Sequence, residues 1–555
     1  MNVHELMNNL EELGVQLWTD GGALRFRAPR GVMTEDRREA LKSHRTEIID
    51  YLQRGKADTR ISPDPTKAHE PFPLTPVQSA YLVGRSGAYD FGGISCTSYL
   101  EILFPDTDPS TIESAWNAFV QRHDMLRATV NSNGYQVIHS EVPHYGIPVY
   151  DVRESSQSEE QAQIESHRDD LLSRTTSTET WPLFALCIAR TDEGCLLHLL
   201  VELLILDAAG VQSLLLELDE LVQGEPVKPR PRIGFRDYVL GQRRLRNGPA
   251  YHRDRDYWLG RLEGLPPAPE LPSSAGGEAD AAVFERFTAH LSAAELNRLS
   301  RHAREQGLTV SGVLLAAYAE TIGRWSRNRN FTLNLPVFNR MPCHPDIDAV
   351  LGDFTSVILL ETDLDAQDAF VDRARALTAQ LFADLDHRLF DGVEVLGELT
   401  RRNGGPVLMP VVYTSTIGMS GETGAGRTRK GRILRGMTRT PQVWLDCQVA
   451  EHEGGLLLAW DVRRGVLPGH AAEDAFQAFA DLVARLAGGP EAWSRRHPIV
   501  LPDAQRERRR AYNDTTVPRR PRLLHEPIIR RAEDYPDDPA VIDDRGALTF
   551  GALAG

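Results

Sequence analysis

Val201 to Gly210 reads V-E-L-L-I-L-D-A-A-G, an apolar run with one carboxylate at Glu202 and a second five residues on at Asp207. Extended upstream to Leu196, the run through Leu206 has the length and continuity of a buried strand, and Val211 to Val222 continues at helical spacing. Ser311 to Ile322 is a second apolar helix candidate. Strands and helices therefore alternate through the middle of the chain, and the expected fold class is α/β (α+β). Carboxylates on a buried strand also make a chemical statement, because an unpaired buried charge is costly and calls for an arginine or for a reaction that uses it.

Four further segments give the acidic pair its meaning. Pro73 to Arg85 reads P-L-T-P-V-Q-S-A-Y-L-V-G-R, and Arg122 to Arg127 reads R-H-D-M-L-R. Asn334 to Ser356 contains N-L-P-V-F-N-R and L-G-D-F-T-S. Pro410 to Gly418 reads P-V-V-Y-T-S-T-I-G, followed at Thr440 to Asp446 by T-P-Q-V-W-L-D. In this order and spacing, over about residues 70 to 490, the chain resembles the condensation domains of nonribosomal peptide synthetases. In the common form of that family the stretch at 201–210 is H-H-x-x-x-D-G, and the slot of its second His is Leu203 here. The heterocyclization subfamily has D-x-x-x-x-D-x-x-S instead, which Glu202 and Asp207 fit with Glu for the first Asp and Gly210 for the Ser.

The resemblance implies a fold of two lobes, each similar to chloramphenicol acetyltransferase, with a tunnel between them. It implies amide formation between an upstream acyl thioester and a downstream cysteinyl, seryl or threonyl thioester, then cyclodehydration to a thiazoline or oxazoline. The substrates would ride on the 4'-phosphopantetheine arms of upstream and downstream peptidyl carrier proteins, with no cofactor bound directly. Thr414 and Asp446 match the pair credited with cyclodehydration, and Asp353, Ser415 and Gln442 lie inside the matched motifs. The chain departs from the pattern at Glu202, Gly210, Arg439 (for Gln) and Cys447 (for His). An arginine at 439 would hold a neighbouring carboxylate ionised. Amide formation alone, or a non-catalytic role in docking and recruitment, are therefore the alternative functions.

The residue types suit the chemistry. An amide carbonyl is a poor electrophile whose oxygen must leave as water, so the step needs a proton donor at that oxygen and a base for the nucleophile. Asp446 follows Val443, Trp444 and Leu445, an apolar setting that raises a carboxyl pKa by desolvation. Thr414 can orient it or relay a proton through its hydroxyl. The bland alternative is a turn-capping Asp and a strand-filling Thr. For Glu202 and Asp207 the expected role is structural, paired with Arg122, Arg127 or Arg340. Asp353, beside Gly352, is expected to bond local backbone. Cys343 and His344 are too few ligands for a closed metal site.

The flanks have their own patterns. Val3, Leu6, Met7, Leu10 and Leu13 recur at helical spacing, and the segments Val15–Thr19 and Leu24–Ala28 alternate around the turn Asp20-Gly21-Gly22. A second helical region starts at Thr34 and runs through Leu41, Ile48 and Leu52. This unit is similar to N-terminal docking domains of the tubulysin-synthetase type, which implies capture of an upstream synthetase's C-terminal tail. The hairpin edge and Arg25, Arg27 and Arg30 would bind it. The expected organisation is docking domain 1–55, linker 56–70, first lobe 71–265, second lobe 266–490, linker 491–522 and the opening of an adenylation domain at 523–555. That last stretch is expected to be too short to activate an amino acid. The Pro-rich segment Leu265–Pro272 would join the lobes.

Composition excludes other classes. With 41% hydrophobic and 25% charged residues among 555, the chain has an ordinary globular balance. A net charge of −16 lacks the basic footprint of a nucleic-acid binder, and the run Arg506–Arg510 reads as a solvated linker. Five scattered cysteines without zinc spacing, and no run of the roughly 18 apolar residues a membrane helix needs, point to the cytoplasm.

Overall fold

The computed structural model describes residues 15–20, 23–27, 33–45, 48, 60–87, 91–174, 177–273, 283–365, 368–419, 430–516, 523–544 and 546–555. The chain divides into two compact units, 1–500 and 501–555. At the start of the larger unit, strands Gln16–Asp20 and Ala23–Arg27 pair antiparallel, with Leu17 opposite Phe26 and Thr19 opposite Leu24. The helix Glu35–Ser43 follows, capped by the Thr34 hydroxyl, which accepts from the Arg37 N–H. The helix expected over Val3–Leu13 and the continuation to Leu52 lie outside the described residues.

Beside a small sheet ordered Phe72–Pro73, Tyr135–Ile138 and Ala128–Val130, two large sheets carry most of the rest of this unit. One has five strands in the order Arg432–Arg439, Thr97–Pro105, Gly194–Glu202, Phe184–Thr191 and Val149–Asp151. The other has six, ordered Phe284–Leu291, Gly455–Arg463, Leu445–His452, Val411–Ser415, Asn330–Phe338 and Thr355–Asp363. Each is covered by helices and builds its own core. Leu100, Ile102, Leu197 and Leu199 meet Trp116, Phe119, Leu214 and Leu218 in the first, and Tyr318, Trp460, Phe476 and Phe479 meet in the second.

Neither core is made from one stretch of sequence. Met341, Cys343, Ile347, Leu351 and Phe354 are buried in the first core, while Val77, Trp258 and Leu262 are buried in the second. The strand Arg432–Arg439 leaves the second lobe to pair with Thr97–Pro105, setting Arg439 opposite Thr97 and Arg432 opposite Leu103. No cut near residue 265 separates the cores. Likewise Ala492, Trp493 and Ile499, in the stretch read as linker, are buried with the second core.

The stretch 201–210 folds differently from its apolar reading. The strand ends at Glu202, and the Leu203 N–H donates to the Cys96 carbonyl while the Ile205 N–H turns back to Glu202. Leu204, Ile205 and Leu206 are buried in this turn, a solution that an apolar run does not distinguish from a longer strand. Asp207 is the N-cap of the helix Ala208–Val222. Its carboxylate accepts from the Gly210 N–H at 2.6 Å and, across the lobe junction, from the Phe354 N–H at 3.1 Å.

The helix Pro76–Arg85 explains its own motif. Thr75 and Gln78 form a reciprocal capping box, and the Gln78 amide also donates to the Leu204 carbonyl at 2.6 Å, holding the turn after Glu202. Gly84 allows close approach, since a Cβ there would lie 2.6 Å from Pro441.

The smaller unit contains helices Asp503–Asn513, Glu526–Asp534 and Phe550–Ala554 and an antiparallel pair, Pro539–Asp543 with Gly546–Thr549. Among the described residues no helix is long and apolar enough to cross a membrane.

Removing the Asp207 carboxylate strands two backbone N–H groups. Asp207→Ala is expected to lower the stability of the larger unit by about 1–3 kcal/mol, and Asp207→Asn, which keeps an accepting oxygen, by less. Urea unfolding midpoints of the two variants against the parent check this.

Candidate active site between the lobes

A cavity of about 610 Å³ opens where the two lobes meet. Val77, Tyr81, Ser98, Leu203 and Asp207 line it from the first lobe, and Asn334, Asp353, Thr414, Asp446 and Gln448 from the second. The segment after the crossover strand adds Thr440, Pro441 and Gln442. Most of the wall is apolar, and four of its polar groups, Asn334, Thr414, Asp446 and Gln448, share one face of the six-stranded sheet.

Strand register produces that convergence. Val411–Ser415 runs parallel to Leu445–His452, with Val412 beside Asp446 and Thr414 beside Gln448. On the other side Asp446 is opposite Asp461, and Asp461 is opposite Arg286. Alternation then puts Thr414, Asp446, Gln448, Asp461 and Arg286 on one face. The Thr414 hydroxyl donates to Asp446 Oδ1 at 3.0 Å, and the Gln448 amide donates to Asp446 Oδ2 at 2.7 Å. Gln448 also donates to Asp461 Oδ2 at 3.1 Å and accepts from Arg286 Nη2 at 2.7 Å. Arg286 holds Asp461 with two parallel hydrogen bonds, and Asp461 Oδ2 accepts the Thr438 N–H at 3.0 Å.

Asp446 is 8% exposed, and burial pushes its carboxyl up to about 6. The Gln448 and Thr414 hydrogen bonds and the Arg286 charge pull the other way, while the charge of Asp461 adds to the rise. A group poised there exchanges a proton readily near neutral pH. Gln448 had a signal in the sequence, since it lies two residues beyond Asp446 on the same strand face. Asp461 and Arg286 had none, because only strand pairing brings them there.

The other site residues are placed as follows. Glu202 does not line the cavity; it lies opposite Thr97 on the sheet face away from it, and its partner is Arg85 Nη1 at 2.7 Å. That corrects the expected pairing. Arg122 instead holds Glu217, and Arg127 holds Asp124. Arg340 donates to the Ile347 and Val350 carbonyls and only its charge reaches Asp207, whose carboxyl burial pushes up. Arg439 is also corrected: it bonds Thr97 Oγ1 and the Leu172 carbonyl, and the carboxylate whose charge it feels is Glu202. The arginine that bears on Asp446 is Arg286. Cys447 points into the second core, as alternation requires of the residue after Asp446.

Ser415 faces the helix Val310–Trp325, where it accepts from the Ser311 hydroxyl at 3.0 Å, and is not part of the cavity wall. Gln442 is on the wall, held at φ 63° with its N–H donated to the Phe91 carbonyl at 2.9 Å. Asp353 is 1% exposed; Oδ1 accepts the Thr355 N–H, Oδ2 has no partner among the described residues, and burial raises it well above the usual carboxyl range. Of the docking arginines, Arg25 is exposed, whereas the side chains of Arg27 and Arg30 are outside the described residues. Among the described residues no cluster of His, Cys, Asp or Glu can hold a metal ion.

The Condensation domain family matches residues 72–500, and the TubC N-terminal docking domain family matches residues 3–54. The chain is 40% identical over 568 residues to pyochelin synthetase PchF of Pseudomonas aeruginosa, covering 100% of this chain and 30% of that one. It is 34% identical over 496 residues to phenyloxazoline synthase MbtB of Mycobacterium tuberculosis, covering 87% and 34%. The crystal structure of the EpoB cyclization-docking bidomain from Sorangium cellulosum superposes with TM-score 0.75 at 33% identity, over 89% of this chain and 99% of that one. The chain belongs to the condensation-domain family of nonribosomal peptide synthetases, acyl-transferring enzymes whose substrates are tethered to carrier-protein phosphopantetheine. It carries a docking domain at its N-terminus and spans about a third of the length of these two synthetases.

The raised carboxyl of Asp446 has a stability consequence. Between the ordinary value of 3.8 and about 6 the folded chain holds this proton more tightly than the unfolded chain, so the contribution falls as pH rises through that window. Asp446→Asn should remove this dependence and leave the protein more stable at pH 8 by about 1–3 kcal/mol. Unfolding curves at pH 4 to 8 check it.

Proposed function

We propose that this chain is a heterocyclization domain. It joins an upstream carrier-bound acyl group to a carrier-bound Cys, Ser or Thr and cyclodehydrates the product to a thiazoline or oxazoline. The observation that carries the reading is the Thr414–Asp446 pair on the cavity wall, with a carboxyl poised near pH 6, and Leu203 where the common condensation motif has its second His. Similarity to a phenyloxazoline synthase and to a cyclization-docking bidomain supports it.

The chemistry balances on one carboxyl. After the amide forms, ionised Asp446 takes the proton of the acceptor's SH or OH as that atom adds to the amide carbonyl, and the proton passes to the carbonyl oxygen. Asp446, ionised again by that transfer, takes the ring nitrogen's proton and delivers it to the resulting hydroxyl; the C–O bond breaks with its electron pair going to oxygen, and water leaves. The electron pair left on the ring nitrogen forms the C=N bond, and Asp446, having passed that proton to the leaving oxygen, is again the carboxylate. Thr414, bonded to Asp446 Oδ1, carries the proton between carboxyl and substrate.

Upstream and downstream peptidyl carrier proteins would deliver the two thioesters in the cytoplasm. An upstream synthetase's C-terminal tail would add to the hairpin at 16–27 and meet Arg25. Residues 523–555 would begin an adenylation domain.

The test uses the full chain with a donor acyl group and a cysteinyl group loaded on separate carrier proteins, read by intact mass. Loss of one water beyond condensation is expected, with Asp446→Asn and Thr414→Val each lowering the dehydrated product at least tenfold. A product that keeps the water with cysteinyl, seryl and threonyl acceptors alike would leave amide formation as the activity. For docking, Arg25→Glu should weaken binding of an acidic tail peptide several-fold at low salt and less at high salt, measured by fluorescence anisotropy.

A further inference from the structure

We infer that Gln448, clamped by Arg286 and Asp461, is a positioning residue that confines the proton of Asp446 to Oδ1, the oxygen facing Thr414. This rests on the cyclodehydration reading above. Asp446 has two oxygens with different neighbours: Oδ1 meets the Thr414 hydroxyl, which both donates and accepts, whereas Oδ2 meets the Gln448 NH₂, which only donates. A proton on Oδ2 would face an N–H. A proton on Oδ1 points at an oxygen that can accept it.

That asymmetry survives only if the Gln448 amide cannot turn over. Turned over, its oxygen would accept from a protonated Oδ2 and the preference would reverse. In place, Oε1 accepts from Arg286 Nη2 at 2.7 Å and Nε2 is shared between Asp446 Oδ2 at 2.7 Å and Asp461 Oδ2 at 3.1 Å. The reverse orientation would set N–H against a guanidinium and C=O against a carboxylate, losing all three contacts and adding two repulsions. Arg286 is itself aimed by its two hydrogen bonds to Asp461, and Asp461 is held by the Thr438 N–H. The device spans four strands, from Arg286 to Thr414.

Its consequence is a directed relay. With the proton on Oδ1, the Thr414 hydroxyl accepts from Asp446 and gives its own hydrogen to the oxygen that leaves, so one proton moves and none is created. Charge is handled by the same groups. Asp461 lies opposite Asp446 and favours its neutral form, and the Arg286 charge opposes that effect. Cys447 on its own strand and Tyr318 on the helix Val310–Trp325 feel the Asp446 charge in turn, and burial keeps both neutral.

The test separates this inference from the reading beneath it. Amide formation and water loss are timed from pH 5 to 9 for the parent, Gln448→Met, Arg286→Met, Arg286→Lys and Asp446→Asn, with circular dichroism checking the fold. In the parent, water loss should rise through a limb near pH 6. Gln448→Met removes an N–H that favours the carboxylate, so its limb should move up by about one pH unit and its rate fall at least tenfold. Arg286→Met leaves the Asp461 charge unopposed and should move the limb the same way. Arg286→Lys, which keeps the charge but not the fork, should restore the limb while the rate stays low. Parental rates and limbs in both methionine variants would overturn the inference while leaving Asp446 in its role. Unimpaired water loss in Asp446→Asn would overturn the functional reading itself. Because Arg286→Met and Gln448→Met are independent probes, poor folding of one leaves the other to decide.

Discussion

The pairing of the strand Arg432–Arg439 with Thr97–Pro105 is the constraint on which the site depends. It draws a segment of the second lobe across to the sheet of the first, and the residues that follow are then committed. Arg439 is fastened to Thr97, Pro441 lies against Gly84, and the Gln442 N–H bonds the Phe91 carbonyl. From the same strand the Thr438 N–H reaches Asp461. One strand thus ties the lobes together and braces the carboxylates behind the cavity. Main-chain pairing suits the task because it sets position to within a residue along the strand, which loose side-chain contact does not.

Charge is managed by separation. Glu202, Glu217 and Asp461 each face an arginine, and the pairing offsets the cost of burying both charges. Asp446 and Asp353 face the cavity without a direct cationic partner, and both have raised carboxyl values. The paired carboxylates tie elements together, whereas burial holds the two without an arginine toward their neutral form. Asp446 adds to this a hydroxyl neighbour, whereas Asp353 has only the Thr355 N–H among the described residues. The two acids in the most suggestive stretch of the chain have other places in the fold. Asp207 is buried as a helix cap, and Glu202 lies on the far face of its sheet.

Much of this was legible from motifs. The T-P-V-Q segment predicts a capped helix start, Thr414 and Asp446 emerge together, and the alternation of Asp446, Cys447 and Gln448 tells which of the three face the cavity. The reading erred where apolar continuity had to stand for geometry. Leu203–Leu206 could extend a strand or pack into a turn with equal burial, and the choice was made by the Gln78 amide reaching Leu204 from a distant helix. It erred again for Arg439, whose nearness to Asp446 in sequence implied nearness in charge. The two lie in different sheets, Arg439 at the end of a strand of the five-stranded sheet and Asp446 in the six-stranded one, so Arg286, 160 positions from Asp446 by numbering, is the arginine that matters.

The sequence by itself determined the family, the presence of a docking unit, the alternation of strands and helices and the identity of the Thr414–Asp446 pair. These depend on local pattern, on residue spacing and on motifs whose order survives without coordinates. Only the tertiary structure decided that the lobes exchange segments, that Glu202 belongs to Arg85, and that Gln448, Asp461 and Arg286 stand behind Asp446. The physical reason is that each of these contacts joins strands or helices far apart in the chain. Register across a sheet is set by the packing of the whole, and no local run of residues carries that information.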